Sequence, residues 1–123
     1  MYYDDIIIKQ TRTLSRAVLK LLFDIKVERP LKKVIDDDNT DILKRLLALA
    51  DNWEINQAEN ALFEICEQGN IADFKTALIF YAYINEKSDA FLKDCGFARE
   101  EIGRGIMDAA ELFGVEGLVS AVI

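Results

Sequence analysis

The chain has 123 residues, 51% of them apolar and 30% charged, with a net charge of −7, one proline and no histidine. This is enough apolar material for one core and one domain, and it argues against both a disordered chain and a turn-rich β-sandwich. No apolar run approaches the roughly 18 residues of a membrane span, and Asp4 and Asp5 stand where a secretory signal carries positive charge, so a cytoplasmic protein is expected.

Charge is spread unevenly. Residues 1–33 hold eight basic and four acidic side chains, whereas the remainder holds seven basic and eighteen acidic. The two parts attract each other within one chain or between two, and the acidic body disfavours nucleic acid as a partner.

A first helix is predicted over residues 4–26. At about 100° per residue, Ile7, Leu14, Val18, Leu21 and Ile25 fall in one stripe that should face the core. Lys9, Arg12, Arg16 and Lys20 recur on the opposite side, and Ile8, Leu19 and Phe23 lie beside that basic row. One reading is a solvated basic face next to a wide core stripe. The other is that Leu19 and Phe23 are covered by a second chain, with Arg12, Arg16 and Lys20 flanking the contact, which predicts a homodimer or larger assembly.

Pro30 ends whatever helix precedes it. A lysine-rich connector then leads to Asp36, Asp37, Asp38, Asn39, Thr40 and Asp41. A calcium loop of the EF-hand kind fails here: a loop begun at Asp36 or Asp37 puts Asp41 or Ile42 at the glycine position and Leu47 or Ala48 at the glutamate position. The acids are better read as a helix start, with Asp38, Asn39 or Thr40 as the cap. A second helix, about 41–51, buries Ile42, Leu43, Leu46, Leu47 and Ala50. Trp53 follows in a connector, as a plug at the corner between helices or as an interface anchor.

Asn56 with Glu59 three residues on predicts a capped third helix with Ala58, Ala61, Leu62, Ile65 and Cys66 inward, ending at Gly69. The fourth, residues 72–85, is apolar on every side, from Phe74 through Ile84, and must be the central element. Ser88 and Asp89 start a short fifth helix, stopped by Gly96. A sixth, about 98–113, buries Ile102, Ile106, Ala109, Ala110 and Phe113. Residues 115–123 form an apolar tail expected to dock on the core or on a neighbouring chain.

The third and fourth helices resemble a tetratricopeptide hairpin. Ala58, Ala61, Leu62 and Ile65 stand at the spacing of its first-helix signature, Gln68, Gly69 and Asn70 resemble its turn, and Ala77 and Tyr81 match the alanine and aromatic of its second helix. Ala58 replaces the repeat's large aromatic and Leu62 its glycine. The resemblance implies helical-hairpin packing over residues 56–113. The segment from Ala58 through Phe113, with the Arg99, Glu100, Glu101, Ile102 helix start, also resembles a family of small uncharacterised all-helical proteins from Gram-positive bacteria, which implies no activity for any residue here. The expected fold is thus all-α, an irregular bundle of about six helices.

Chemistry has little to work with. Without histidine, a nucleophile–base pair would need a lysine base, a cysteine beside some other base or a carboxylate pair, none of which the sequence presents, and the Glu-x-x-His motif of a di-iron bundle is absent. Glu64 with Glu67, and Asp108 with Glu111, sit one turn apart as solvated acids do. Gly103 and Gly105 follow no strand and make no phosphate loop; close helix contact at Gly103, Ala109 and Ala110 is the better use. Cys66 and Cys95 read as free, reduced thiols. No catalytic residue, metal or cofactor is therefore assigned. The expected function is a non-enzymatic interaction or self-associating scaffold with Leu19, Phe23, Arg12, Arg16, Lys20 and Trp53 as contact residues. The alternative is a small apolar or amphipathic ligand held among Phe74, Phe80, Tyr81, Tyr83 and Phe113.

Overall fold

The computed structural model describes residues 14–26 and 28–121, and these contain eight helices and no strand. They are α1 (residues 14–23), α2 (Leu31–Asp38), α3 (Asp41–Asp51), α4 (Ile55–Gln68), α5 (Ile71–Asn85), α6 (Asp89–Asp94), α7 (Glu100–Leu112) and α8 (Glu116–Ala121). No helix among the described residues is long and apolar enough to cross a membrane.

An apolar circumference makes α5 the hub. Ten of its residues are buried, Phe74, Leu78, Ile79, Phe80, Tyr81 and Ile84 completely, and it packs on α2, α3, α4 and α7 at once. Asn70 and Asp73 start it with a reciprocal capping box, each side chain accepting from the other's end of the turn. The two residues 69–70 join α4 to α5, yet α4 packs most extensively on α3, and α5 on α7. Among the aromatics named for a ligand, Phe74 lies 5.8 Å from Phe113 and Phe80 meets Tyr81 edge-on at 5.2 Å.

Two helices were not expected. Pro30 does not only stop the preceding segment; its fixed φ of −58° also sets the N-cap of α2, which presents Leu31, Val34 and Ile35 inward at one-turn spacing. Asp36, Asp37 and Asp38 consequently occupy the last turn of α2. Asn39 closes that turn in the left-handed conformation, and Thr40 alone caps α3, accepting from the Leu43 amide at 3.2 Å. The tail coils into α8 and docks within its own chain through Val119, which is fully buried, while Leu118 stays exposed.

The first helix is turned relative to its predicted seam. Leu14, Ser15, Val18 and Leu19 are buried, Leu22 and Phe23 are half-buried against the core, and Leu21, expected inside, is exposed. The inward direction is shifted by about 60° toward Leu19, less than one residue step on the helical wheel. Leu19, with 0% of its surface exposed, and Phe23 are therefore covered by their own chain. For Leu19 and Phe23 this corrects the premise that the apolar side chains beside the basic row were left for a second copy; Ile8 lies outside the described residues.

Candidate functional site

The most unusual local geometry lies where α3 hands over to α4. The Trp53 amide donates to the Ala50 carbonyl at 3.2 Å and the Glu54 amide to the Leu49 carbonyl at 2.9 Å, the paired bonds of a Schellman helix end. That motif needs a left-handed residue at its corner, usually glycine or asparagine. Here the residue is Trp53, at φ +66°. For a bulky side chain this conformation costs about 1–2 kcal/mol.

The indole is held by stacking on Phe91 of α6, with ring centroids 4.1 Å apart and planes 24° from parallel. Such stacking contributes about 0.5–1.5 kcal/mol beyond area burial, which offsets much of the strain. Neither effect explains why 53% of the chain's only tryptophan remains exposed. The Lys87 ammonium sits 4.9 Å from the centroids of both the Phe91 and the Tyr83 rings, so the aromatic step continues onto the end of α5. Asp51, the last residue of α3, accepts from Lys87 Nζ at 2.6 Å and from the Tyr83 hydroxyl at 2.8 Å. Burial opposes ionisation of Asp51, but the Lys87 and Tyr83 hydrogen bonds and the Lys87 charge outweigh it and hold the carboxyl below its ordinary value. Asp51, Tyr83, Lys87, Phe91 and Trp53 thus form one continuous ridge from three helices and two turns. Next to it, Leu31, Ile35, Leu47 and Tyr83 floor an open groove of about 380 Å³ between α2, α3 and α5.

A second polar cluster is interior. The Tyr81 hydroxyl, on a fully buried side chain, donates to Glu59 Oε2 of α4 at 2.7 Å. Glu59 is thereby diverted from the capping box expected with Asn56, and α4 begins at Glu54 with no side-chain cap. Asn56 donates instead to the Cys95 carbonyl. Desolvation raises the Glu59 pKa above 4.5; the Tyr81 hydrogen bond works against this, and the charges of Glu101 and Asp108 on α7 reinforce it. Because the folded-state value is raised, Glu59 favours folding when protonated, and that contribution fades as pH rises through the folded value. Glu59→Gln keeps an acceptor for Tyr81 and removes the charge. We expect the variant to be more stable than the parent near neutral pH, with the difference closing as pH falls toward 4.5, in urea unfolding of both proteins across that range. A difference independent of pH rules this account out.

Three other features lack reactive character. Burial pushes the Cys66 thiol up to about 11, helped by Asp73, and burial leads in raising Cys95, so neither is poised as a thiolate. Among the described residues no group of three or more acidic or sulfur ligands is placed to hold a metal. The hollow beside α6 is closed off chemically by Arg99, whose guanidinium is spent on Asn85, Lys87 and Asp89, and by Glu101, which accepts from the Ala98 amide at 2.7 Å.

Of the contact residues singled out from sequence, Trp53 alone lies on the ridge, and it is joined there by Tyr83, one of the aromatics named for a ligand. Leu19 is core and Phe23 packs against it. Arg16 donates to the Arg29 carbonyl at 2.6 Å, Lys20 pairs with Asp24 at 2.9 Å, and Arg12 lies outside the described residues. Phe91 and Lys87 were missed as partners of Trp53. The signal was available only as a Trp directly after a helix end, with no glycine to turn the chain.

No curated protein and no solved structure matches the sequence. Residues 1–114 match the family of unknown function DUF6483. With nearly all of its length inside that match, the chain belongs to DUF6483, a family of unknown function.

Proposed function

We propose that this protein is a non-enzymatic helical interaction module that contacts another protein through the ridge centred on Trp53. The observation that carries the reading is a half-exposed tryptophan kept at a left-handed corner, where glycine would make the same turn without strain. Large aromatics flanked by polar pairs are the usual anchors of protein interfaces. The absence of histidine from the sequence and the upward-shifted thiols support a role without catalysis. Two free cysteines, Cys66 and Cys95, fit a reducing, cytoplasmic setting. With Leu19 spent in the core, self-association belongs to this reading only if a second copy also meets the Trp53 ridge.

The test is site-specific photo-cross-linking in the native host, with a benzophenone amino acid at exposed Asn52 beside the ridge and, as control, at exposed Arg104 on α7. The expected result is a discrete adduct from position 52 that disappears on Trp53→Ala and is absent from position 104. Its mass distinguishes a second copy from another protein. The same products from both positions, or an adduct indifferent to Trp53→Ala, overturn the proposal.

A further inference from the structure

We infer that the groove between α2, α3 and α5 and the Trp53–Phe91 step form one docking surface for an amphipathic helix of a partner protein that carries acidic side chains along one flank. The inference rests on the reading of the Trp53 ridge as a contact and adds the form and charge of what it receives. The two features are physically continuous. Tyr83 and Asp51 line the groove and also belong to the ridge, and only the Lys87 ammonium separates the Tyr83 ring from the Phe91 ring beneath Trp53.

The shape favours a helix. The groove is open along its length and bounded by helices, with Leu31, Ile35 and Leu47 as an apolar floor. Among the described residues no strand offers an edge on which an extended peptide could complete its backbone hydrogen bonds. A helix satisfies its own backbone and lays residues at one-turn spacing into such a groove, with the last of them reaching the exposed face of Trp53.

The charge sets the flank. Lys44, exposed on the groove rim, has no ion pair among the described residues. Lys32, which lines the groove from α2, meets Asp36 only at 3.5 Å with both side chains largely in water. Of the two acids on the lining, Asp51 is already paired with Lys87, leaving Glu86 as the one without an ion pair among the described residues. Two available ammonium groups over an apolar floor complement an acidic flank, which also speeds encounter with the partner. Residues 34–123, with seven basic and eighteen acidic side chains, would repel such a helix elsewhere on their surface.

The test pans the full-length protein against a displayed library of amphipathic helices with a fixed apolar stripe and randomised flanks. Selected peptides are titrated by the fluorescence of Trp53, the only indole in the chain. The expected binders are enriched in Asp and Glu on one flank. Their affinity should fall about tenfold or more with Leu47→Glu and with Trp53→Ala (read by peptide-label anisotropy), and Lys44→Glu should shift selection to Lys-flanked helices. Circular dichroism and urea unfolding confirm that each variant is folded; Lys44→Glu, at an exposed site, serves where Leu47→Glu is not. Binders that need Trp53 but ignore Leu47 and Lys44, or that carry neutral or basic flanks, overturn this inference and leave the Trp53 contact standing. The absence of any Trp53-dependent binder removes both.

Discussion

Gly105→Ala is expected to destabilise the protein by about 3 kcal/mol, whereas Gly103→Ala, two residues away on the same helix, is expected to stabilise it by about 0.5–1 kcal/mol. A Cβ at Gly105 falls 2.2 Å from the Tyr81 hydroxyl oxygen and 2.4 Å from Cζ of the same ring. Tyr81 has nowhere to go. It is fully buried on the central helix, Phe80 meets its edge at 5.2 Å, and its hydroxyl is anchored to Glu59. An added methyl must push the ring or spread α5 from α7, with the overpacking costs of a tight core, and rotating the ring away also leaves a buried hydroxyl unpaired. The helix-propensity gain of alanine recovers about 1 kcal/mol at either position. At Gly103 it acts alone, because nothing lies within 4 Å of the added carbon. Urea unfolding gives both values; in thermal unfolding the Gly105 change corresponds to a drop of about 10 °C for a domain of this size. Adding Tyr81→Phe to Gly105→Ala should return only part of the loss, since the 2.4 Å and 2.8 Å ring contacts persist without the oxygen. Equal effects at the two glycines would exclude this explanation.

These glycines mark the boundary of what the sequence discloses. Close helix contact was expected at Gly103 and not at Gly105, and the structure reverses the two; both sit between charged and apolar neighbours, and only the facing tyrosine from a distant segment separates them. The same holds for α1. Its apolar residues cover so wide an arc that periodicity fits a seam through Leu21 as well as one through Leu19, and packing chooses the second. Local signals fared better. The apolar circumference of α5, the Ser88 cap and the stop at Gly96, at φ +67°, are each written within a few residues and appear where expected, and Thr40 is one of the three caps offered for α3. In α2 a local signal was misassigned: Pro30 can end one segment and open the next, and the lysines masked the inward Leu31, Val34 and Ile35. The candidate site was least legible, because Asp51 and Trp53 on one side and Tyr83, Lys87 and Phe91 on the other come from two segments some thirty residues apart and meet only through the packing of α3, α5 and α6.

Arg99→Ala is expected to cost about 3 kcal/mol, chiefly by releasing the end of α5. A helix leaves its last carbonyls without partners, and α5 ends in a sharp turn into α6 where water has limited access to them. Arg99, with 9% of its side chain exposed, supplies the missing donors: Nη1 donates to the Asn85 carbonyl at 2.7 Å and Nη2 to the Lys87 carbonyl at 2.8 Å. The same guanidinium reaches the Asn85 side chain and grips Asp89, the first residue of α6, through Nε and Nη2. Its positive charge also lies at the negative end of the α5 dipole. Asp89 is 72% exposed, so its ion pair contributes little, and Asp89→Ala should lose no more than about 1 kcal/mol. Most of the Arg99 effect therefore comes from the two carbonyls. Arg99→Lys should recover only a minority of it, because a single ammonium on a flexible stem cannot reproduce the planar fork that serves three residues at once. Hydrogen exchange distinguishes this from general weakening: in Arg99→Ala the amides of residues 86–92 should lose protection ahead of those in the centre of α5. Since Lys87 and Phe91 lie within that segment, the same variant should loosen the support under Trp53 and raise indole exposure to a soluble quencher while the core remains folded. Uniform loss of protection along α5, or a full rescue by lysine, would show that the arginine acts through charge or bulk and not through its carbonyl bonds.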